Sequence, residues 1–159
     1  MIAPQPVFAK HVGLAMRLTS FTDFGLRALM RIASEPDRVH STAEIAAEFR
    51  ISRNHLTKAM AALAAAGFVE TRRGTGGGAV LGQPAESLRL GDVVAVLERG
   101  AALVECFAKD GGACVITPTC RLKGMLAGAE ARFIAELNRY SLADCALPPR
   151  GETDHVEQR

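Results

Sequence analysis

From Phe21 onward, apolar residues return at helical intervals. Phe21, Leu26, Leu29, Met30 and Ala33 fall near one face of a helix that opens after Thr19 and ends near Glu35-Pro36. Ser20 and Asp23 have the spacing of a capping box, in which first-turn side chains satisfy free backbone N–H groups. A second box, Ser41 with Glu44, opens the short segment TAEIAAEF, with Ile45, Ala46 and Phe49 on one side. Ser52 is a good N-cap for RNHLTKAMAALAAAG, in which Leu56, Met60 and Leu63 mark the buried stripe and Gly67 the stop. Two short capped helices joined by a tight turn predict a helix-turn-helix. The turn residue is Arg50, where a left-handed glycine is usual; a left-handed non-glycine costs about 1–2 kcal/mol, which favours another turn geometry.

The pattern then changes period. FVETRR and AVLG have strand-like content and flank GTGGG, so they predict a hairpin, the wing of a winged helix. Leu88 to Leu97 predicts another short helix, followed by a loop rich in cysteine. Beyond the loop, Leu122, Leu126, Ala129, Phe133, Leu137 and Tyr140 recur at steps of three and four, the narrow seam a helix needs to pair with another helix. The expected fold is mainly α with a small β-hairpin wing: a winged helix-turn-helix over 16–85, then a loop and dimerisation helix over 86–146. Residues 1–15, which share no periodicity with the rest, read as a disordered extension, with Met16 a candidate start. The polar, proline-bearing stretch 147–159 reads as a disordered tail.

Composition adds the setting. At 159 residues and 48% hydrophobic, the chain has the length and apolar content for one packed core. No apolar run is long enough to cross a bilayer and the opening residues lack a secretory core, which places the chain in the cytoplasm, away from membranes. The net charge of +2 says little, but its distribution is uneven: Arg50, Arg53, Lys58, Arg72 and Arg73 face one acid, Glu70, between Arg50 and Thr75.

That local excess suits double-stranded DNA. In a helix-turn-helix the start of the second helix enters the major groove, so Arg53, Asn54 and His55 stand where side chains reach base edges or phosphates, Ser52 caps the helix, and Lys58 meets phosphate one turn on. Arginine pairs with guanine and asparagine with adenine through bidentate bonds, each worth roughly 1–3 kcal/mol of discrimination. Arg72 and Arg73 lead into the glycine turn, where Gly74 and Gly77 allow a close approach to the DNA backbone or minor groove. A plain helical pair with solvated polar ends is the rival reading, and the basic wing weighs against it.

Seven residues lie between Cys106 and Cys114, and five between Cys114 and Cys120. Zinc ribbons and fingers favour closer pairs, so structural zinc is disfavoured. An iron–sulfur cluster tolerates wider spacing, and Gly111, Gly112 and Pro118 suit a loop that wraps one. Three thiolates leave such a cluster one ligand short, and no histidine lies between His55 and His155. Cys145, a carboxylate and a residue of a partner chain are the remaining sources; Cys145 lies beyond the long helix, more than about 30 Å from Cys120 at helical rise, and reads as incidental. A thiol redox switch is the alternative for the loop. A thiol enzyme is not supported: Cys-x-x-Cys is absent and no nucleophile is paired with a base.

MRLTSFTDFGLRALM, SRNHLTKAM, RRGTGGGAVLG, LRLGDVVAVLE, CVITPTCRLKGML and LNRYSLAD together resemble, in order, the nitric-oxide-sensitive repressors of the Rrf-type family of iron–sulfur winged-helix regulators, from Met16 to about Asp144. The resemblance implies a homodimer joined through the long C-terminal helix, reading a pseudo-palindromic operator. It also implies a 2Fe-2S or 4Fe-4S cluster on Cys106, Cys114 and Cys120, with Asp23 of the opposite subunit as fourth ligand and nitric oxide as the signal. The longer gap between Cys106 and Cys114 departs from the family pattern. The absence of a loop histidine argues against the histidine-ligated relatives that control cluster assembly. A sibling regulator of iron or iron–sulfur homeostasis on the same scaffold is the alternative.

Overall fold

A computed structural model describes residues 18–74 and 76–150. The expected extension at 1–15 and Met16 lie outside the described residues. Among the described residues, five α-helices and one hairpin follow in order: α1 Ser20–Ser34, α2 Thr42–Phe49, α3 Arg53–Ala65, β1 Val69–Arg72, β2 Gly78–Leu81, α4 Leu90–Leu97 and α5 Arg121–Leu137. Short 3-10 turns at Glu105–Phe107, Thr117–Thr119 and Ala143–Cys145 punctuate the remainder. This is the mainly helical winged fold that the periodicity predicts.

The core is built from Leu29 and Ile32 of α1, Ile45 of α2, Leu56, Met60 and Leu63 of α3, Val69 of β1, Val93 and Leu97 of α4, and Leu142. On α1 the buried face differs from the one the large apolar residues suggest. Thr22, Gly25, Ala28, Leu29 and Ile32 are buried, whereas Phe21, Leu26, Met30 and Ala33 are half-buried. Small residues let α1 approach α3 and α4 closely, so the tightest contact falls on them and the larger side chains fill the margins.

The helix caps also correct the expectation at one end. Thr19, not Ser20, caps α1, its Oγ1 accepting the Thr22 N–H at 3.2 Å. Asp23 does not complete a box; it holds Arg27 one turn along, at 2.8 Å. The missing half comes from the far end of α4, where Glu98 accepts both the Thr19 N–H at 2.8 Å and its hydroxyl at 3.0 Å. At α2, Ser41 accepts the Glu44 N–H at 3.1 Å as expected. Arg50 takes the left-handed conformation after all, at φ 53°, and its N–H with that of Ile51 closes the end of α2.

The hairpin pairs Val69 with Leu81 and Arg72 with Gly78 in antiparallel register. A third partner was not visible in the sequence: His40, fully buried, exchanges backbone bonds with Ala79, N–H to O at 2.9 and 2.8 Å. Gly78 makes this possible, since a Cβ there would stand 2.3 Å from the His40 carbonyl oxygen. The base of the wing is therefore tied to the segment leading into α2.

Helix α5 buries none of its residues completely. Leu126, Phe133 and Leu137 are half-buried, while Leu122 and Met125 are 57% and 68% exposed. Tyr140 lies beyond the end of the helix, so the last step of the predicted seam is not helical. Of the expected disordered tail at 147–159, residues 151–159 lie outside the described residues, and the described part departs from the expectation. Leu147–Arg150 is docked: the Leu147 N–H reaches Met30 O at 3.3 Å, Arg31 donates to Pro148 O at 2.9 Å, and the Arg150 N–H reaches Glu35 at 2.8 Å. Glu35, at the end of α1, and the glutamates of α2 hold a segment that its proline content and polarity had assigned to solvent.

Candidate nucleic-acid interface and cysteine loop

The start of α3 is organised by Ser52, whose Oγ accepts the His55 N–H at 3.4 Å, and by the Leu56 N–H bonding to Ser52 O at 2.9 Å. Arg53, Asn54, His55 and Lys58 are all exposed there, because Leu56, Ala59, Met60 and Leu63 turn the opposite face into the core. Among the described residues the side chains of Arg53, Asn54 and Lys58 have no hydrogen-bond or ion-pair partner, so their polar ends are available to a ligand. His55 is different: its ring stacks on Phe24 of α1, centroids 6.5 Å apart and planes at 26°. That contact ties the start of α3 to α1, a role the sequence did not signal.

Arg72 closes β1, and Arg73 and Gly74 follow on the exposed wing. Gly77 serves the turn itself, its N–H bonding to Gly74 O at 2.9 Å while a Cβ would meet Arg72 O at 2.5 Å. Arg50, Arg53, Lys58, Arg72 and Arg73 are all at the surface, so the basic excess of this stretch is presented to solvent. Cationic side chains on a capped helix start and on a hairpin are what a phosphate backbone attracts.

The cysteine loop joins α4 to α5. Cys106 lies in the Glu105–Phe107 turn, Cys114 between Gly112 and the Thr117–Thr119 turn, and Cys120 at the N-cap of α5. All three thiols are free and half-buried. Glu105 gathers the loop by accepting the Ala113 N–H at 2.8 Å, and Gly112, at φ 63°, packs against its backbone. Cys106 lines an open groove between the loop and α5 with Phe107, Lys123, Ala127 and Glu130. Among the described residues, no three His, Cys, Asp or Glu side chains converge closely enough to hold a metal ion. The donor set fits an iron–sulfur cluster in kind, three unpaired thiols on one glycine-bearing loop, but the single chain does not gather them into a cage.

Asp23 stands in the first turn of α1 with its carboxylate on Arg27. Cys145 sits apart from the loop, half-buried against the core, its thiol donating to Leu142 O at 3.4 Å. Burial, with the Asp144 carboxylate beside it, pushes the Cys145 thiol up from its ordinary range.

Residues 18–147 match the family description "Rrf2: Iron-dependent Transcriptional regulator". The chain belongs to the Rrf2 family. Solved Rrf2-like structures agree with the fold. CymR (YrzC), the global cysteine regulator of B. subtilis, is 23% identical over 82% of this chain and 96% of its own, with a TM-score of 0.62. T. potens IscR is 23% identical over 82% of this chain and 85% of its own, also at 0.62. A transcriptional regulator from Listeria innocua is 25% identical over 90% and 96%, at 0.60. The Rrf2 assignment makes this chain a DNA-binding transcriptional regulator. No helix among the described residues is long and apolar enough to cross a membrane.

Proposed function

We propose that this Rrf2 protein is a homodimeric repressor of the NsrR type, which carries an iron–sulfur cluster and releases its operator in response to nitric oxide. The observation that carries the reading is the set of three free, half-buried thiols on one loop, immediately before a helix with an uncovered apolar face. Val115 and Ile116, 89% and 59% exposed, add apolar side chains on the loop next to Cys114, and a second copy covering them together with α5 would also cover the flank of the thiols.

Cys106, Cys114 and Cys120 would hold the cluster, which when bound supplies iron with high affinity for nitric oxide. Asp23 of the partner protomer is the proposed fourth ligand. To serve, it has to give up Arg27, an exposed pair worth little on its own. Its position on α1 gives the ligation consequence, because α1 packs on α3 and Phe24, the next residue, stacks on His55. Holding Asp23 fixes the reading helix relative to the dimer; releasing it removes the constraint. A coupling of about 3 kcal/mol changes affinity more than a hundredfold.

The test is anaerobic purification with visible spectrum and iron and sulfide content, then nitric oxide titration while binding to the protein's own promoter DNA is followed. Brown protein that changes colour as it leaves DNA supports the reading. Colourless, iron-free protein indifferent to nitric oxide overturns it. The second reading, a thiol-redox or iron-homeostasis regulator, draws on the separation of the three thiols within one chain. It predicts DNA binding that follows oxidant or iron supply instead.

A further inference from the structure

Helix α2 is the least anchored part of the helix-turn-helix. It has eight residues, of which only Ile45 and Ala46 are buried, and α1 packs chiefly on α3. What holds its outer face is polar. Glu48 offers one carboxylate oxygen to Arg31, which is buried on α1, and the other to Arg150, whose Nε lies 3.1 Å away. The same Arg150 guanidinium stands 3.3 Å from Glu44 and 3.5 Å from Glu35, and its backbone N–H bonds to Glu35. One side chain thus joins the end of α1 to both acids of α2.

Arg150 arrives there from the end of α5, along the chain, and not from α1 or α2. It follows α5 and the Ala143–Cys145 turn, and the four residues before the end of the described chain lie along α1 through the contacts of Leu147 and Pro148. We propose that Leu147–Arg150 is a strap by which the α5 side of the molecule positions α2, with Arg150 as a positioning residue for DNA binding. In the helix-turn-helix, α2 crosses the DNA backbone and sets the angle at which α3 enters the groove. A shift of α5 pulls on Leu147–Arg150, and Glu44 and Glu48 pass the pull to α2. The inference rests on the DNA-reading assignment but needs neither cluster nor nitric oxide.

The full-length chain is compared with R150Q, which keeps polarity and loses charge, and with R150K, which keeps charge. R150Q is expected to bind a fragment of its own promoter about fivefold more weakly, with a smaller change on unrelated DNA of the same length. Its α2 amides exchange faster with deuterium while those of α5 do not, and R150K restores both. Unchanged α2 exchange in R150Q overturns the proposal, and so does uniformly faster exchange along the chain, which would mean general destabilisation. Exchange is read without DNA, so a wild-type chain that failed to bind the fragment would overturn the functional reading alone.

Discussion

Asn138 and Asp92 exchange two hydrogen bonds across the junction of α5 and α4: the Asp92 N–H donates to Asn138 Oδ1 at 2.9 Å, and Asn138 Nδ2 donates to Asp92 Oδ1 at 2.9 Å. The α4 N-cap residue, Arg89, makes no capping bond, so Asn138 acts as the cap from 46 residues away. Gly91 lies beneath it, where a Cβ would be 2.3 Å from Ile134 O. N138A should therefore cost about 1 kcal/mol, the typical worth of a cap, and appear as a lower thermal midpoint. G91A should cost more, about 1–3 kcal/mol, because backbone rather than a side-chain tip has to move.

Glu98 plays the same part for α1. E98A leaves the Thr19 N–H without its partner and should destabilise by about 1 kcal/mol, while E98Q, which keeps an acceptor oxygen, should lose less. Chemical denaturation of the three proteins, compared at equal slopes, checks the order.

Changing Arg53 or Asn54 to Ala should weaken specific binding by about 1–3 kcal/mol and non-specific binding far less. Competition of a promoter fragment against random DNA measures both. Equal losses would make these residues phosphate contacts instead.

C114A should give a colourless protein that folds and keeps its oligomeric state, since the core residues and the apolar side chains of α5 lie outside the 106–120 loop and Val115 and Ile116 are unchanged. Size-exclusion chromatography and the visible spectrum test it; aggregation or a monomer would make the loop structural.

Asp144 supplies a pH dependence. The Ser141 N–H and hydroxyl donate to its carboxylate at 2.7 and 2.9 Å and hold its pKa below the ordinary carboxylate range. A lowered folded pKa means that the unfolded chain takes up the proton first, so the contribution is present above the unfolded pKa, about 4, and fades as pH falls through the folded one. D144N should thus be less stable than wild type at neutral pH, with the difference closing in acid. Thermal midpoints between about pH 7 and pH 2 show whether it does.

Local features were legible in the sequence: Ser41 and Ser52 cap the predicted helices, Leu56, Met60 and Leu63 are buried, and the glycine hairpin sits between the predicted strands. Each depends on neighbours a few residues apart. What escaped reading was contributed across the fold. Glu98 caps a helix 79 residues upstream, His40 pairs with a strand it does not resemble, and Arg150 finds three glutamates that are scattered in sequence. The buried stripe of α1 misled for another reason: helical periodicity weights large apolar residues, whereas Gly25 and Ala28 are buried because they are small. At the cysteine loop, spacing singles out the proposed donors, but assembly of a site depends on side-chain placement, and for the proposed Asp23 ligand, on a second chain.

The pairing of His40 with Ala79 has a mechanical consequence. The wing hangs from the residue before the Ser41 cap, and α3 follows α2 through a turn of three residues, Arg50 to Ser52, so hairpin and α3 share one mount. Together they make a caliper whose jaws are set within a single chain. On the proposed function, a signal that frees the DNA would have little leverage on the gap between those jaws and would have to tilt the caliper as a whole.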